Sequence, residues 1–291
     1  MMNQDRAEHP AGTRQVLPPD LVKKVRTTGD YARRRKPKYG VRPRFYKFAH
    51  GLVNFVFRLT CKWDVYGLEN LPTTTVPRIS AFGQEYAEHS ATPVVFAVKH
   101  VSIRDIFVVG LSIKRVLGWM VKSPLGQIYG FSRVLIWLSG VFVLRDKDLE
   151  QVAQGKKFRY GLLGDDALGE LEKILEDGYS VMAFAEGTRN DPLAVQNIKS
   201  GSIRLAINAR TPIVPVGLAG TGKRKQGALV KHWIIRRRCV VIFGDPIDPR
   251  DFSYSPQRRW EDSINLEALR EHVRQQIETC TREAHRKLQE L

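Results

Sequence analysis

The chain has 291 residues, of which 43% are hydrophobic and 26% are charged, and its formal net charge is +17 at neutral pH. This length is sufficient to bury a sizeable core, so one large folded domain with an N-terminal appendage is the simplest organisation. The charge predicts an anionic partner, whereas the lack of zinc-finger spacing, of an RNA-binding-sheet signature and of a paired-helix DNA reader in the sequence argues against nucleic acid.

The first 62 residues divide into a polar tail and a basic, amphipathic segment. Residues 1–20 lack the apolar stretch of a signal peptide, which predicts a mobile tail. From Leu21 to Lys47 the chain has eleven Lys or Arg and a single acid, Asp30. The centre of this charge is Arg33, Arg34, Arg35 and Lys36. Near an anionic bilayer each such cation contributes about 1 kcal/mol, and a solvated basic surface is the alternative interpretation.

A helix is predicted from Phe45 to Cys61. One apolar stripe runs along it, formed by Phe45, Phe48, Leu52, Phe55, Val56 and Leu59. Such a helix either lies among lipid headgroups or packs onto the protein's own core, and both hold if different sides are used. No run in the sequence reaches the roughly 18 to 20 apolar residues of a spanning helix. Residues 21–62 are therefore predicted to bind the cytoplasmic face of a membrane, peripherally or monotopically.

A histidine and an aspartate follow the next apolar run. Val94 to Val98 is short and rich in β-branched residues, which predicts a buried strand, and a helix is expected from Ile103 to Leu117. Within a helix, residues five apart point about 140° away from each other. His100 and Asp105 therefore meet only at the strand-to-helix junction, where the carboxylate would fix the tautomer of a histidine acting as general base. Alone, this pair is a weak signal.

Further strands each deliver polar residues at their ends. Gly140 to Arg145 predicts a strand ending in an arginine, and Ser180 to Ala185 predicts a strand followed by Glu186 to Arg189. Ile213 to Gly217 contains a proline, which predicts an edge or irregular position rather than a central strand. Helices are expected between these strands and from Leu266 to Leu291. The pattern predicts an α/β fold over residues 63–291, with one mixed, largely parallel sheet flanked by helices.

Four of these segments, in order, resemble the sequence blocks of the glycerolipid acyltransferases. The blocks are His100 to Asp105, Gly140 to Arg145, Phe184 to Arg189 and Ile213 to Val216. The resemblance extends from about Trp63 to Pro249 and is greatest to the 1-acylglycerol-3-phosphate acyltransferases. Four ordered blocks are much more specific than any one of them.

The resemblance implies a role for each matching residue. His100 would deprotonate the acceptor hydroxyl, which attacks an acyl thioester, and Asp105 would orient His100. The acceptor and its phosphate would be bound by Lys122, Arg145, Glu186, Gly187, Thr188 and Arg189. Arginine suits this task because it binds phosphate through paired, charge-assisted hydrogen bonds. Glu186 is expected to bond a glycerol hydroxyl or to hold the two arginines. Pro215 and Val216 would lie on the acyl-donor side.

The implied reaction moves a fatty acyl group from acyl-coenzyme A or acyl carrier protein to lysophosphatidic acid, giving phosphatidic acid. The expected partners are thus an acyl thioester, a glycerophospholipid acceptor and an anionic membrane. The sequence does not indicate an oligomeric state. The three cysteines are far apart and provide neither a metal-ligand pair nor a disulfide framework, so a reducing compartment, no metal and no cofactor are expected.

Three positions depart from the commonest family pattern. Lys99 stands where asparagine is frequent, Ala185 where proline is frequent, and Asn190 where serine is frequent. A cation at Lys99 would lower the proton affinity of His100 or attract an anionic substrate. Acceptor identity therefore stays open among lysophosphatidic acid, glycerol 3-phosphate, another lysophospholipid and a lipid sugar. The non-catalytic alternative is a protein of the same fold that binds anionic lipid or nucleic acid.

Overall fold

A seven-stranded sheet organises the chain, which a computed structural model describes over residues 39–79, 85–128, 130–156, 158–222, 237–254 and 260–291. The predicted tail, and Arg33 to Lys36 with it, lie outside the described residues. The strands are β1 (Cys61–Tyr66), β2 (Thr73–Ile79), β3 (Glu85–Ala91), β4 (Val95–Val98), β5 (Leu117–Lys122), β6 (Gly140–Val143), β7 (Ser180–Phe184), β8 (Ile213–Ala219) and β9 (Arg237–Phe243). The α-helices are α1 (Pro43–Thr60), α2 (Arg104–Ser112), α3 (Phe131–Trp137), α4 (Asp146–Ala153), α5 (Gly164–Glu176), α6 (Ser200–Asn208), α7 (Trp260–Ser263) and α8 (Leu266–Glu290).

The sheet is mixed and mostly parallel, as the sequence predicts. Its strand order is β1-β9-β8-β4-β7-β5-β6, and β2 and β3 form a separate antiparallel pair. Strands β8, β4, β7, β5 and β6 all run in one direction. Only the β8–β9 pairing in this sheet is antiparallel, so β9 and β1 run the opposite way. The carboxyl ends of the five co-directional strands therefore meet at one edge of the sheet.

Helices cover both faces of the sheet, because side chains alternate along the buried strands. On β4, Ala97 joins the core under α5, α6 and α8, whereas Phe96 joins the core under α1 and α2. All four residues of β4 and the preceding Val94 are fully buried, as a strand covered on both sides requires. The C-terminal helix forms as predicted and buries Leu269, Val273 and Ile277, whereas Leu266 at its first position is 37% exposed.

Helix α1 has two apolar sides, one buried and one exposed. One side packs on the core: Tyr46 is buried, and the ring of Phe57 lies 5.2 Å from that of Phe107 in α2. The other side is apolar and open, with exposed fractions of 69% for Phe48, 56% for Leu52, 68% for Phe55 and 67% for Leu59. The helix is therefore part of the folded body and still leaves an apolar stripe uncovered. Among the helices that the structure describes, none has the length and apolar character needed to span a bilayer.

Two predicted helix ends differ from the structure. The helix expected to reach Cys61 ends at Thr60, and Cys61 adopts extended backbone and begins β1. The helix expected from Ile103 to Leu117 ends at Ser112, and Leu117 begins β5. Apolar residues at mixed spacing fit a helix or a buried strand equally well. Pairing of β5 with β6 and β7 selects the strand, and it leaves Leu117 fully buried.

Strand β8 corrects a third prediction. It lies inside the sheet between β4 and β9, with all seven residues buried, although Pro215 predicted an edge or irregular strand. A proline cannot donate a ladder hydrogen bond. Here none is required, because the regular pairing with β9 begins at Val216 and an isolated bridge joins Ile213 to Ile247. Pro215 thus occupies an interruption in the ladder of a central strand.

Candidate active site

The site lies at the sheet edge where the five co-directional strands end. His100 is two residues beyond β4, Glu186 two residues beyond β7, and Arg145 two residues beyond β6, while Lys122 is the last residue of β5. Because β4 and β7 are hydrogen-bonded neighbours, His100 and Glu186 are brought side by side. Residues from three of the four sequence blocks thus gather at one edge, where α/β folds commonly bind ligands.

His100 and Asp105 meet as the sequence predicts. His100 Nδ1 is 3.0 Å from Asp105 Oδ2, and the same oxygen accepts hydrogen bonds from the backbone N–H groups of Val101 and Ser102, each at 2.6 Å. Asp105 is fully buried in the first turn of α2. A carboxylate accepts, so Nδ1–H donates to Asp105 and Nε2 keeps its lone pair. The imidazole is therefore held in the orientation that a general base requires, with 15% of its side chain exposed.

The ring of His100 also stacks on Phe184, the last residue of β7. The two ring centroids are 3.9 Å apart and the planes are inclined by 22°. Val98 of β4 is paired with Phe184 in the sheet register, which sets this approach. Phe184 begins the third sequence block, but the sequence alone assigned it no function. The carboxylate and the aromatic ring together fix the imidazole along two different directions.

Glu186 and Lys99 form a buried ion pair that the sequence did not predict. Lys99 Nζ is 2.9 Å from Glu186 Oε1 and 2.8 Å from Oε2, and Lys99 and Glu186 are 0% and 3% exposed. The expectation that Lys99 attracts an anionic substrate is therefore wrong, because its charge is buried and neutralised. Glu186 holds Lys99 rather than the two arginines expected from the resemblance.

The loop after β7 closes back on the turn that carries His100. Gly187 has a φ of +67°, a conformation that favours glycine, and the loop then turns so that Asn190 N–H donates to the carbonyl of His100 at 3.0 Å. Thr188 and Arg189 are exposed at its tip. An open cleft of about 610 Å³ beside the loop is lined by Glu186, Thr188, Asn190, Gln196, Lys199 and Arg274, among others.

Lys122 and Arg145 lie farther along the same edge. With about 4.8 Å between strands, β5 is about 10 Å and β6 about 14 Å from β4, which carries His100. Lys122 is exposed at the end of β5. Arg145 immediately precedes α4, and its guanidinium donates to Asp148 at 3.0 and 3.2 Å. Asp148 also accepts from the Arg145 backbone N–H, so the Asp148 carboxylate caps the start of α4 and holds this arginine.

Pro215 and Val216 lie beside the turn that carries His100, on its β8 side. Both are buried in β8, where Val216 is paired with Val98 of β4. The carbonyl of Val216 accepts a hydrogen bond from Lys99 N–H at 3.0 Å. These residues thus support the backbone that leads into His100. Within the described residues, no group of three or more His, Cys, Asp or Glu side chains is arranged to hold a metal ion.

The buried cysteines form one contact that their sequence spacing does not indicate. The Sγ atoms of Cys61 and Cys239 lie 3.4 Å apart on the neighbouring strands β1 and β9. Interaction with Cys61 and burial raise the pKa of the Cys239 thiol, which keeps it protonated. This pair is at the opposite end of the strand order from β6, in the core beneath α1 and α2.

Comparison with known proteins assigns this arrangement to a family. A family model described as acyltransferase matches residues 62–219, which include His100, Arg145, Glu186 and Pro215. A chloroplastic 1-acyl-sn-glycerol-3-phosphate acyltransferase of Brassica napus is 28% identical over 165 residues, covering 56% of this chain and 38% of that protein. A probable 1-acyl-sn-glycerol-3-phosphate acyltransferase of Mycoplasma pneumoniae is 33% identical over 92 residues, covering 30% of this chain and 35% of that protein.

A solved structure shares the fold. The crystal structure of the 1-acyl-sn-glycerophosphate acyltransferase of Thermotoga maritima aligns with a TM-score of 0.55 and 20% identity, over 82% of this chain and 80% of that chain. The matched segment spans little more than a third of each of the two curated relatives named above. The predicted fold class and family resemblance are both confirmed.

Proposed function

This chain belongs to the acyltransferase family, and we propose that it transfers a fatty acyl group from an acyl thioester to the free hydroxyl of lysophosphatidic acid, giving phosphatidic acid. The observation that carries the proposal is His100, held by Asp105 at 3.0 Å beside the loop that presents Arg189. The relatives named above are 1-acyl-sn-glycerol-3-phosphate acyltransferases, which supports this acceptor over an uncharged alcohol. The donor is acyl-coenzyme A or acyl carrier protein.

The chemistry follows from the orientation of the imidazole. His100 Nε2 takes the proton of the acceptor hydroxyl while that oxygen attacks the thioester carbonyl carbon. The tetrahedral intermediate then collapses, the C–S bond breaks, and the imidazolium returns its proton to the departing thiolate. The products are an ester and a free thiol. Asp105 stabilises the imidazolium between these two steps, because its Oδ2 lies 3.0 Å from Nδ1.

Arg189 and Lys122 are the groups we assign to the acceptor phosphate. Both are exposed, and they lie beyond β7 and at the end of β5, strands that are neighbours in the sheet. A guanidinium binds phosphate oxygens in pairs, and an ammonium adds a point charge. Arg145 is the weaker candidate, since it lies one strand farther out and is bonded to Asp148.

We also assign membrane docking to the exposed stripe of α1. A second apolar group lies beside it on α3, where Phe131, Val134 and Trp137 are 45%, 39% and 37% exposed, and the rings of Phe45 and Trp137 are in contact. The charge is uniform here: residues 39–63 contain no acid, and residues 99–145 contain only Asp105, which is buried. Apolar side chains surrounded by cations fit the headgroup region of an anionic bilayer.

Thiol release tests the reaction. Long-chain acyl-coenzyme A and acyl carrier protein are each combined with lysophosphatidic acid, glycerol 3-phosphate or an uncharged monoacylglycerol, using wild type and His100→Ala. Release that requires both His100 and a phosphate on the acceptor is expected, with the variant reduced by about 10² to 10⁴. Unchanged release in His100→Ala refutes the mechanism. Preference for another acceptor would reassign the substrate within the same reaction class.

Vesicle binding tests the docking assignment. The double variant Leu52→Ser/Phe55→Ser is expected to bind phosphatidylglycerol-containing vesicles at least about tenfold more weakly than wild type, because burial of each side chain contributes about 1.5–3 kcal/mol. Leu266→Ser is the matched control, since Leu266 is an exposed leucine on α8, which packs on the opposite face of the sheet. Equal weakening in the control, or none in the double variant, contradicts the assignment.

A further inference from the structure

The buried Lys99–Glu186 ion pair joins two parts of the site that are 87 residues apart. We infer that Lys99 is a positioning residue. Its ammonium binds the Glu186 carboxylate as an internal counter-ion, and this pair holds residues 186–196, the acceptor loop, in place beside the general base His100. The inference rests on the proposed acyl transfer for its kinetic consequence, and on geometry alone for its structural one. It removes Glu186 from direct contact with the acceptor.

Lys99 is fixed at both ends. Its backbone N–H donates to the carbonyl of Val216 in β8, while its side chain reaches the loop that follows β7. There the ammonium has three acceptors: both oxygens of Glu186 and the carbonyl of Ala194, at 2.9, 2.8 and 2.5 Å. An ammonium has three protons, so its donor capacity is filled. The residue directly before the general base is thereby tied to the acceptor loop.

Glu186 is enclosed by donors from the same loop and from the catalytic turn. Oε1 accepts from Lys99, from the Asn190 side chain at 3.1 Å and from Gln196 N–H at 3.1 Å. Oε2 accepts from Lys99 and, more weakly, from His100 N–H at 3.4 Å. With 3% of the residue exposed, this carboxylate is turned inward. It gathers residues 186–196 around a single charge.

The electrostatic cost explains why Lys99 is required. A buried carboxylate without a partner is strongly unfavourable, whereas a paired one with its remaining lone pairs bonded is tolerated. Removal of the Lys99 charge therefore favours movement of the Glu186 carboxylate into solvent, and residues 186–196 move with it. Arg189 and Thr188 lie between the two attachment points of the loop, so the acceptor-binding groups move as well. The base and the acceptor then lose their mutual alignment.

Four variants test the inference: Lys99→Met, Glu186→Gln, the double variant, and Lys173→Met as a control. Lys173 pairs with Glu170 at 3.2 Å but is 64% exposed in its side chain, so the control removes a lysine charge from the surface. The first readout is hydrogen exchange at the amides of Asn190 and Gln196. We expect at least about tenfold faster exchange in Lys99→Met and wild-type exchange in the control. Wild-type exchange in Lys99→Met overturns the inference.

The second readout is kinetic. We expect Lys99→Met to raise the acceptor KM and to lower kcat by roughly 10- to 100-fold, because small misplacements of reacting groups have effects of this size, while the donor KM stays unchanged. The double variant has no unpaired carboxylate, so its thermal stability should recover but its kcat should not. Recovery of kcat together with stability assigns the pair to folding alone and refutes positioning.

Two further results separate this inference from the proposed function. A raised acceptor KM in Glu186→Gln with wild-type kinetics in Lys99→Met means that Glu186 contacts the acceptor, and refutes the inference. Wild-type protein that releases no thiol with any acceptor refutes the proposed acyl transfer instead. In that case hydrogen exchange at Asn190 and Gln196 still decides whether Lys99 holds the loop.

Discussion

Two substitutions of Asp105 can separate its proposed contribution to catalysis from its contribution to stability, because a single oxygen of this residue makes both sets of hydrogen bonds. Oδ2 accepts from His100 Nδ1 and from the backbone N–H groups of Val101 and Ser102. In Asp105→Asn the amide oxygen takes this place, since an NH₂ group there would face three donors. The backbone bonds then survive, but the carboxylate charge that stabilises an imidazolium is lost. In Asp105→Ala both functions disappear.

The two losses have different sizes. A hydrogen bond to a charged group contributes about 1.5–3 kcal/mol, so loss of the two backbone bonds in Asp105→Ala lowers the free energy of unfolding by about 3–6 kcal/mol. Asp105→Asn should cost about 1.5–3 kcal/mol, because the two backbone bonds remain but become neutral, which halves their contribution. Replacement of a buried, histidine-orienting aspartate by asparagine lowers kcat by as much as about 10⁴ in a catalytic triad. We expect about 10² to 10⁴ here, which at 1.36 kcal/mol per decade is about 2.7–5.4 kcal/mol of transition-state stabilisation.

The assay combines thiol release with urea unfolding monitored by circular dichroism. Asp105→Asn should unfold at a midpoint between those of wild type and Asp105→Ala and lose most of its turnover, whereas Asp105→Ala should lose both stability and turnover. A fully active Asp105→Asn would show that Asp105 caps the turn without supporting the base. An Asp105→Ala protein as stable as wild type would refute the contribution of the two backbone hydrogen bonds.

Three further outcomes can be measured. Phe184→Leu removes the ring stacked on His100. Because an aromatic pair contributes about 0.5–1.5 kcal/mol, kcat should fall by about 2- to 12-fold while the urea midpoint stays near wild type. Unchanged kcat would mean that Asp105 alone orients the base. Gly217→Ala should lower the free energy of unfolding by about 3 kcal/mol, since a Cβ there lies 2.2 Å from the backbone of α8 at Cys280. Gly169→Ala is the control and should be neutral or slightly stabilising, because nothing lies within 4 Å of a Cβ at that position. Equal urea midpoints for the two variants would contradict the packing argument. Burial raises the pKa of the Cys280 thiol from 9.0 to about 11, so the folded state holds its proton longer than the unfolded state does, and the stability that this contributes below about pH 9 is lost as the pH rises to about 11. Melting temperatures should therefore fall over that interval, and a Cys280→Ala protein with the same slope would assign the effect to other groups.

Several features of the site could be predicted because their determinants are close in sequence. The strand over Val95–Val98, the turn after it and the start of α2 lie within twenty residues, so the meeting of His100 with Asp105 follows from a strand-to-helix junction. The contact of Arg145 with Asp148 is local in the same way, because the two residues are three apart, a spacing typical of a helix N-terminus. The end of α2 was predicted wrongly because an apolar run carries no signal for its boundary with β5.

Other features depend on contacts that no local pattern encodes. The partner of Lys99 became clear only because β4 and β7 are adjacent in the sheet although they are far apart in the chain. The central position of β8 depends on β9 returning antiparallel beside it. The β8–β9 pairing begins at Val216, so no ladder hydrogen bond from Pro215 is required. The contact between Cys61 and Cys239 likewise depends on strand pairing, because β1 and β9 are neighbours in the sheet although these cysteines are 178 residues apart in the chain.

The sequence by itself determined the chemical groups, the strands and helices that carry them, and the family, because these depend on residue type, short spacing and block order. The tertiary structure decided which charges face solvent and which are neutralised inside. It turned one side of α1 to the core and left the other exposed, and it buried Lys99 against Glu186. The physical reason is that the free energy of a charge or an apolar side chain depends on what surrounds it, and those surroundings come from strands and helices that are distant in sequence.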